Sequence, residues 1–143
     1  MASASYQPGR TFLFCPKHNS ELVRSIVNFA KEKKVKMAVF TVIGAVKGAS
    51  IASYDQAKRE YEKIQLDKPL EIASGFGNLS SKNGKPFAHV HVVLSDAAGK
   101  AYGGHLIRAT VFASEVFIQE LRGEELEREY DPTTGLAMWK FKG

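Results

Sequence analysis

The sequence predicts an α+β fold: a mostly antiparallel sheet packed with one principal helix, in a single compact domain. Three observations predict it. Only one stretch, from Leu22 to Ala30, carries apolar residues at helical spacing; most of the rest is short β-branched and aromatic runs; and those runs are punctuated by glycine, proline, asparagine and aspartate. A chain of 143 residues, 44% hydrophobic and 24% charged, forms one globule whose core needs neither disulfide nor metal to hold it.

The elements follow in order. Residues 1–9 are small and polar and are expected to form a flexible leader, leaving residues 10–143 as the domain. Thr11 to Phe14 reads as a first strand closed by Pro16. Asn19 or Ser20 is the expected helix cap, with Glu21 in the first turn and Leu22, Ile26, Phe29 and Ala30 on one apolar stripe. Lys31, Lys33 and Lys34 end that helix, either as a phosphate-binding patch or as a solvated last turn that complements the helix dipole. Val35 to Ile43 and Gly48 to Tyr54 read as buried strands joined by a tight turn at Gly44. The charged run Asp55 to Lys63 suits a surface turn leading into an exposed edge strand.

After Pro69, Leu70 to Ser80 and Phe87 to Leu94 form a hairpin around Asn83-Gly84. In its second arm Ala88, Val90, Val92 and Leu94 face one way, and Phe87, His89, His91 and Val93 the other. A turn at Asp96 to Gly99 returns the chain through Tyr102-Gly103-Gly104-His105-Leu106 to two further strands, Thr110 to Phe112 and Val116 to Leu121. The tail, Leu126 to Phe141, folds around Asp131-Pro132-Thr133-Thr134-Gly135 and is expected to pack Tyr130, Trp139 and Phe141 onto the body.

Composition restricts the function classes. Cys15 is the only cysteine, so no internal disulfide forms and the cytoplasm is the expected compartment. The longest apolar-rich run, Met37 to Val46, is far short of the ~20 residues of a membrane helix. Lys and Arg number 20 against 15 Asp and Glu, a net charge of +5 that permits a nucleic-acid partner. The basic residues are nevertheless spread from Arg10 to Lys142 among acidic neighbours, not gathered on one helix. Phosphate loops, serine elbows and His-Glu-x-x-His helices are missing, and Cys15 with His18 three residues on makes a poor nucleophile pair across Pro16.

The chemistry-bearing pattern is histidine. His89 and His91 are two apart on a strand and share a face, so both imidazoles can reach one metal ion, and His105, returned by the turn at 96–99, can supply a third ligand. Three neutral imidazoles suit a divalent metal, zinc first, with nickel, copper or iron as other occupants. Glu71, Asp96, Glu115 and Glu120 are the acidic residues that could assist such a centre as a general base. The alternative is that the histidines are hydrogen-bonded on a half-exposed face or at a subunit interface and hold no metal.

The strings Pro69-Leu70-Glu71-Ile72, Gly84-Lys85-Pro86-Phe87-Ala88-His89-Val90-His91-Val92-Val93-Leu94 and Tyr102-Gly103-Gly104-His105-Leu106 resemble the plants-and-prokaryotes-conserved domain family. The likeness runs from about Arg10 to Arg128-Glu129-Tyr130-Asp131 and Thr134-Gly135-Leu136. It implies a homotrimer and a relation to DNA-binding proteins, since plant members carry AT-hooks beside the domain. This chain has no Arg-Gly-Arg-Pro hook, only Pro8-Gly9-Arg10, and Lys68-Pro69 stands where the plant Gly-Arg-Phe-Glu-Ile-Leu motif has Gly-Arg. The family's prokaryotic members look like metal binders at the triad matched here by His89, His91 and His105. The resulting expectation is a DNA-associated regulatory protein with a three-histidine metal site. Its rivals are a metal-dependent, hydrolase-like enzyme with its site near a subunit interface, acting on an unidentified small molecule, and a trimeric interaction module with a structural metal.

Overall fold

The alternating apolar pattern resolves into a helix and eight strands, described for residues 2–141 in a computed structural model. β1 (Gln7–Phe14) precedes α1 (Leu22–Lys33), and β2 (Ala38–Asp55), β3 (Glu60–Leu66), β4 (Leu70–Lys82), β5 (Lys85–Ser95), β6 (Ala101–Arg122), β7 (Glu127–Tyr130) and β8 (Ala137–Lys140) follow. One mixed sheet holds them in the order β3-β2-β6-β5-β4-β7-β8, with β1 paired to β6. Because β2 pairs with both β6 and β4, and β5 bridges β4 to β6, those four strands close into a ring. Ring closure removes most free sheet edges. The α+β expectation holds.

The core lies inside the ring and under α1, which packs against β5 and β6. Leu22, Ile26 and Ala30 of the helix are fully buried against the inward side chains of the strands, among them Phe40, Val42, Val90, Leu94, Val111 and Ile118. Phe29 joins the edge of this core, stacked on Phe14 at 4.1 Å. The strand expected around Ala88 to Leu94 has the predicted two faces, for Ala88, Val90, Val92 and Leu94 are all buried.

Several expectations are corrected. The helix cap is Glu21, whose carboxylate accepts from the backbone N–H of Val23 and Arg24, while Asn19 takes a left-handed φ of 65° and Ser20 donates to Lys17. A carboxylate at that position also meets the positive end of the helix dipole. The two strands expected on either side of Gly44 are one, β2: Gly44 sits at a register shift with a φ of 123°, and the ladder to β6 continues past it. Likewise Tyr102 to Leu121 is the single long strand β6, bent by bulges instead of broken by turns. β1 begins at Gln7, within the stretch expected to be a leader, because Gln7 and Pro8 already pair with Arg122 and Leu121 and Arg10 is held by Glu120 at 2.6 Å. Tyr130, expected to pack the tail down, is 70% exposed. Asn83 and Gly84 adopt the left-handed turn their hairpin requires, with φ of 52° and 67°. Among the described residues no helix is long and apolar enough to cross a membrane.

Candidate metal centre

His91 and His105 are direct cross-strand partners between β5 and β6, and His89 lies two residues before His91 on the same outer face. The register that creates this pairing depends on Gly104. A Cβ there would stand 2.6 Å from the Ala52 carbonyl oxygen, so the bare backbone lets β6 approach β2 closely just where His105 must be presented. Ring centroids are 5.0 Å apart for His89 and His91, 5.1 Å for His89 and His105, and 5.6 Å for His91 and His105. One ligand nitrogen from each lies within 4.8 Å of the others. The three residues read from the sequence are therefore brought together.

The electrostatics favour the ligating form. Burial, then the charges of Arg128, His105 and His91, hold His89 down to about 4, and burial with His91 and Arg128 also lowers His105. Both rings are neutral at pH 7, as ligation requires. His105 Nδ1 is buried with no hydrogen-bond partner among the described residues, a cost of roughly 1–3 kcal/mol that the fold alone does not repay. His89 and His91 Nε2 atoms lie 3.2 Å apart. Two nitrogens bound tetrahedrally to zinc at about 2.0–2.1 Å would lie about 3.3 Å apart. The donor set fits a divalent transition metal.

A cleft of about 1100 Å³ opens over the triad, bounded by Tyr54 and Tyr61 on one side and by the β7–β8 hairpin on the other. Tyr61 rests against His105 with centroids 5.4 Å apart and is backed by Tyr54 at 5.0 Å. The Tyr54 hydroxyl donates to the Thr134 carbonyl at 2.8 Å, and Arg59 donates to that of Pro132 at 3.0 Å, fastening the tail turn over the cleft. Sequence reading missed Tyr54, Tyr61 and Arg128. The tyrosines become neighbours only through the β2–β3 register, and Arg128 hides in the charged run Glu127-Arg128-Glu129.

None of the four carboxylates expected to serve the centre lines this cleft. Glu71 pairs with Ser95 and Glu115 with Ile43; Asp96 is bound to Lys68 at 2.7 Å and Glu120 to Arg10. The acidic residues that do line the cleft are engaged too: Glu127 accepts from the Gly84 N–H at 2.9 Å, and Glu129 holds Lys140 at 2.7 Å.

The row of paired residues Leu13, Phe117, Thr41, Phe76, His91 and His105 crosses β1, β6, β2, β4, β5 and β6 again on the outer face. Leu13, Phe117 and Phe76 in that row are exposed, so the triad stands at the end of an apolar strip.

Known proteins share this fold. The metal-containing protein of Archaeoglobus fulgidus superimposes with a TM-score of 0.95 at 46% identity, over 98% of this chain and 99% of that one. A plant- and prokaryote-conserved protein of Pyrococcus horikoshii follows at 0.93 and 38% identity, over 100% and 99%. A protein of Bacteroides thetaiotaomicron described as a candidate DNA-binding protein gives 0.85 at 26% identity, over 96% and 97%. Bifunctional protein GlmU of a Synechococcus strain is 25% identical over 118 residues, 80% of this chain; the chain spans only 18% of the length of that curated relative. The model of the Plants and Prokaryotes Conserved domain matches residues 3–122, and the chain belongs to that family.

Proposed function

We propose that this protein is a metal-binding member of its family, a cytoplasmic homotrimer in which His89, His91 and His105 hold one zinc ion at the floor of a cleft open to small molecules. The observation that carries this reading is the convergence of three imidazoles, with a buried and unpartnered His105 nitrogen among them. The metal-containing relative from A. fulgidus supports it. The apolar strip of Leu13, Phe117 and Phe76 supports assembly, since a row of large exposed apolar side chains is the kind of surface that subunits cover.

Zinc in such a site supplies Lewis acidity to an oxygen-bearing ligand. The chain's own contribution is to keep His89 and His105 neutral by burial, to fix the His105 ring against Tyr61, and to leave one side of the triad facing the cleft. A hydrolase-like route that uses a carboxylate as general base is disfavoured, because the carboxylates lining the cleft are already engaged. Metal-assisted chemistry that polarises a ligand without a carboxylate base fits the cleft better.

A second reading, a DNA-associated regulator, is favoured by the net charge of +5 and by the description of the B. thetaiotaomicron relative. It requires affinity for duplex DNA that falls steeply with salt.

The first reading is tested by elemental analysis of untagged protein purified without added metal, beside the His89→Ala/His91→Ala double variant. About one zinc per chain in the parent and none in the variant is expected. A parent that stays metal-free when zinc is offered contradicts it.

A further inference from the structure

Arg128 is an unusual feature of the cleft wall. It is only 7% exposed, yet no carboxylate among the described residues pairs with it. Its guanidinium lies over the Trp139 ring at 4.9 Å and the Phe87 ring at 5.6 Å, which fixes the plane of the fork. Nε donates to Ser80 Oγ at 3.2 Å, one terminal nitrogen to the Ala137 carbonyl at 3.0 Å and the other to Asn78 Oδ1 at 2.9 Å. Guanidinium has five N–H donors, so one on each terminal nitrogen has no acceptor among the described residues. Asn78 is the cross-strand partner of His89, which sets the Arg128 anchor beside the triad, and Arg128, Phe87 and Ala137 line the same cleft as the three histidines.

A buried charge without a counter-ion is costly unless something completes it. Of the two carboxylates at the rim, Glu129 is paired with Lys140, while Glu127 accepts from the Gly84 N–H and keeps its charge, so Arg128 and Lys82, which rests over Phe87, outnumber it by one. The uncompensated charge of the cleft is thus positive. Two free N–H bonds on a rigid planar fork match the two oxygens of a carboxylate. A DNA phosphate does not fit this position, because a duplex backbone cannot reach a residue only 7% exposed whose guanidinium lies against the Phe87 and Trp139 rings.

We propose that Arg128 anchors the carboxylate of a small organic acid that enters this cleft, with the remainder of that molecule directed at His89, His91 and His105. The assignment deepens the metal-centre reading and rests on it for the direction in which the ligand lies. Arg128 supplies charge and orientation, and the triad receives the other end.

The test titrates malonate into the full chain, zinc-loaded and chelator-treated, while the Arg128 Nε–H resonance is followed by NMR and zinc is measured in the same samples. A saturable shift of that resonance is expected, with malonate bound at least tenfold more weakly by Arg128→Lys, which keeps the charge and loses the fork. Sulfate, tetrahedral and inorganic, is expected to bind the parent several-fold more weakly than malonate. An unmoved Arg128 resonance, an Arg128→Lys variant that binds malonate as the parent does, or sulfate binding as tightly as malonate overturns the proposal. Should Arg128→Lys fail to fold, the parent resonance decides alone. Zinc bound with no Arg128 response leaves the metal centre standing and removes the carboxylate subsite; an Arg128 response in a parent that takes up no zinc supports the subsite and removes the metal centre.

Discussion

The two ends of β5 carry polar clusters of opposite character. Just past its last residue, Ser95, the Asp96 carboxylate accepts from Lys68 at 2.7 Å, from the Tyr102 hydroxyl at 3.1 Å, and from the backbone N–H groups of Ala98 and Lys100 at 3.0 Å each. Lys68, in turn, also donates to Tyr102 at 2.8 Å. That cluster closes on itself. Nearer the start of the strand, His89 and His91 meet His105 and Arg128 with a buried imidazole nitrogen and two guanidinium N–H bonds unspent. Both clusters gather charged or polar side chains around the same strand, so proximity of such groups does not distinguish structure from site. Completeness of their hydrogen bonding does.

The comparison can be broken first on stability. Leu94, fully buried beside the closed cluster, is expected to cost about 2–5 kcal/mol as Leu94→Ala. His91→Ala at the exposed open end is expected to change the stability of the metal-free protein by no more than about 0.5 kcal/mol. Urea denaturation of chelator-treated protein measures both, and a large loss at His91 would make the triad a structural cluster. On metal affinity the order reverses: His105→Ala is expected to weaken zinc binding at least about a hundredfold, some 2.7 kcal/mol, whereas Leu94→Ala leaves it within a few-fold wherever the variant folds. Competition with a coloured chelator reads this out.

The two ends also titrate in separate windows. His89 is held near 4, below its ordinary 6.5, so the unfolded chain takes up its proton first and the metal-free protein loses stability as pH falls from 6.5 toward 4. Asp96 is held at about 2 by Lys68, below its ordinary 3.8, and Glu120 at about 2 by Arg10, below 4.5. Their contribution is present above the unfolded values and is lost as pH falls from about 4 toward 2. In denaturation curves collected against pH, His89→Ala is expected to flatten the upper window and Asp96→Asn the lower one. The smallest effect is at the rim: the exposed Lys140–Glu129 pair is worth under about 1 kcal/mol, so Lys140→Ala is expected to leave the denaturation midpoint nearly unchanged.

What could be read from the sequence was whatever local pattern decides. The alternation through Val90 and Leu94, the Asn83-Gly84 turn and the single helical stripe all reported their structures, and two histidines at i and i+2 announced a shared face. The long strands β2 and β6 were not legible, because Gly44 and the bulges along β6 look like chain breaks until the cross-strand ladder that spans them is seen. The candidate carboxylates failed for a related reason. Asp96 and Glu120 find their cations, Lys68 and Arg10, 28 and 110 residues away, and no spacing rule reports such pairs. Arg128 was illegible because its meaning lies in what it lacks.

The central claim, that the open cluster is a metal centre, is tested most directly by X-ray absorption at the zinc edge on the zinc-loaded chain. The account predicts about three nitrogen scatterers at about 2.0–2.1 Å with the outer-shell pattern of imidazole, reduced to two in His105→Ala. A spectrum of oxygen scatterers alone, or one unchanged by His105→Ala, would contradict it.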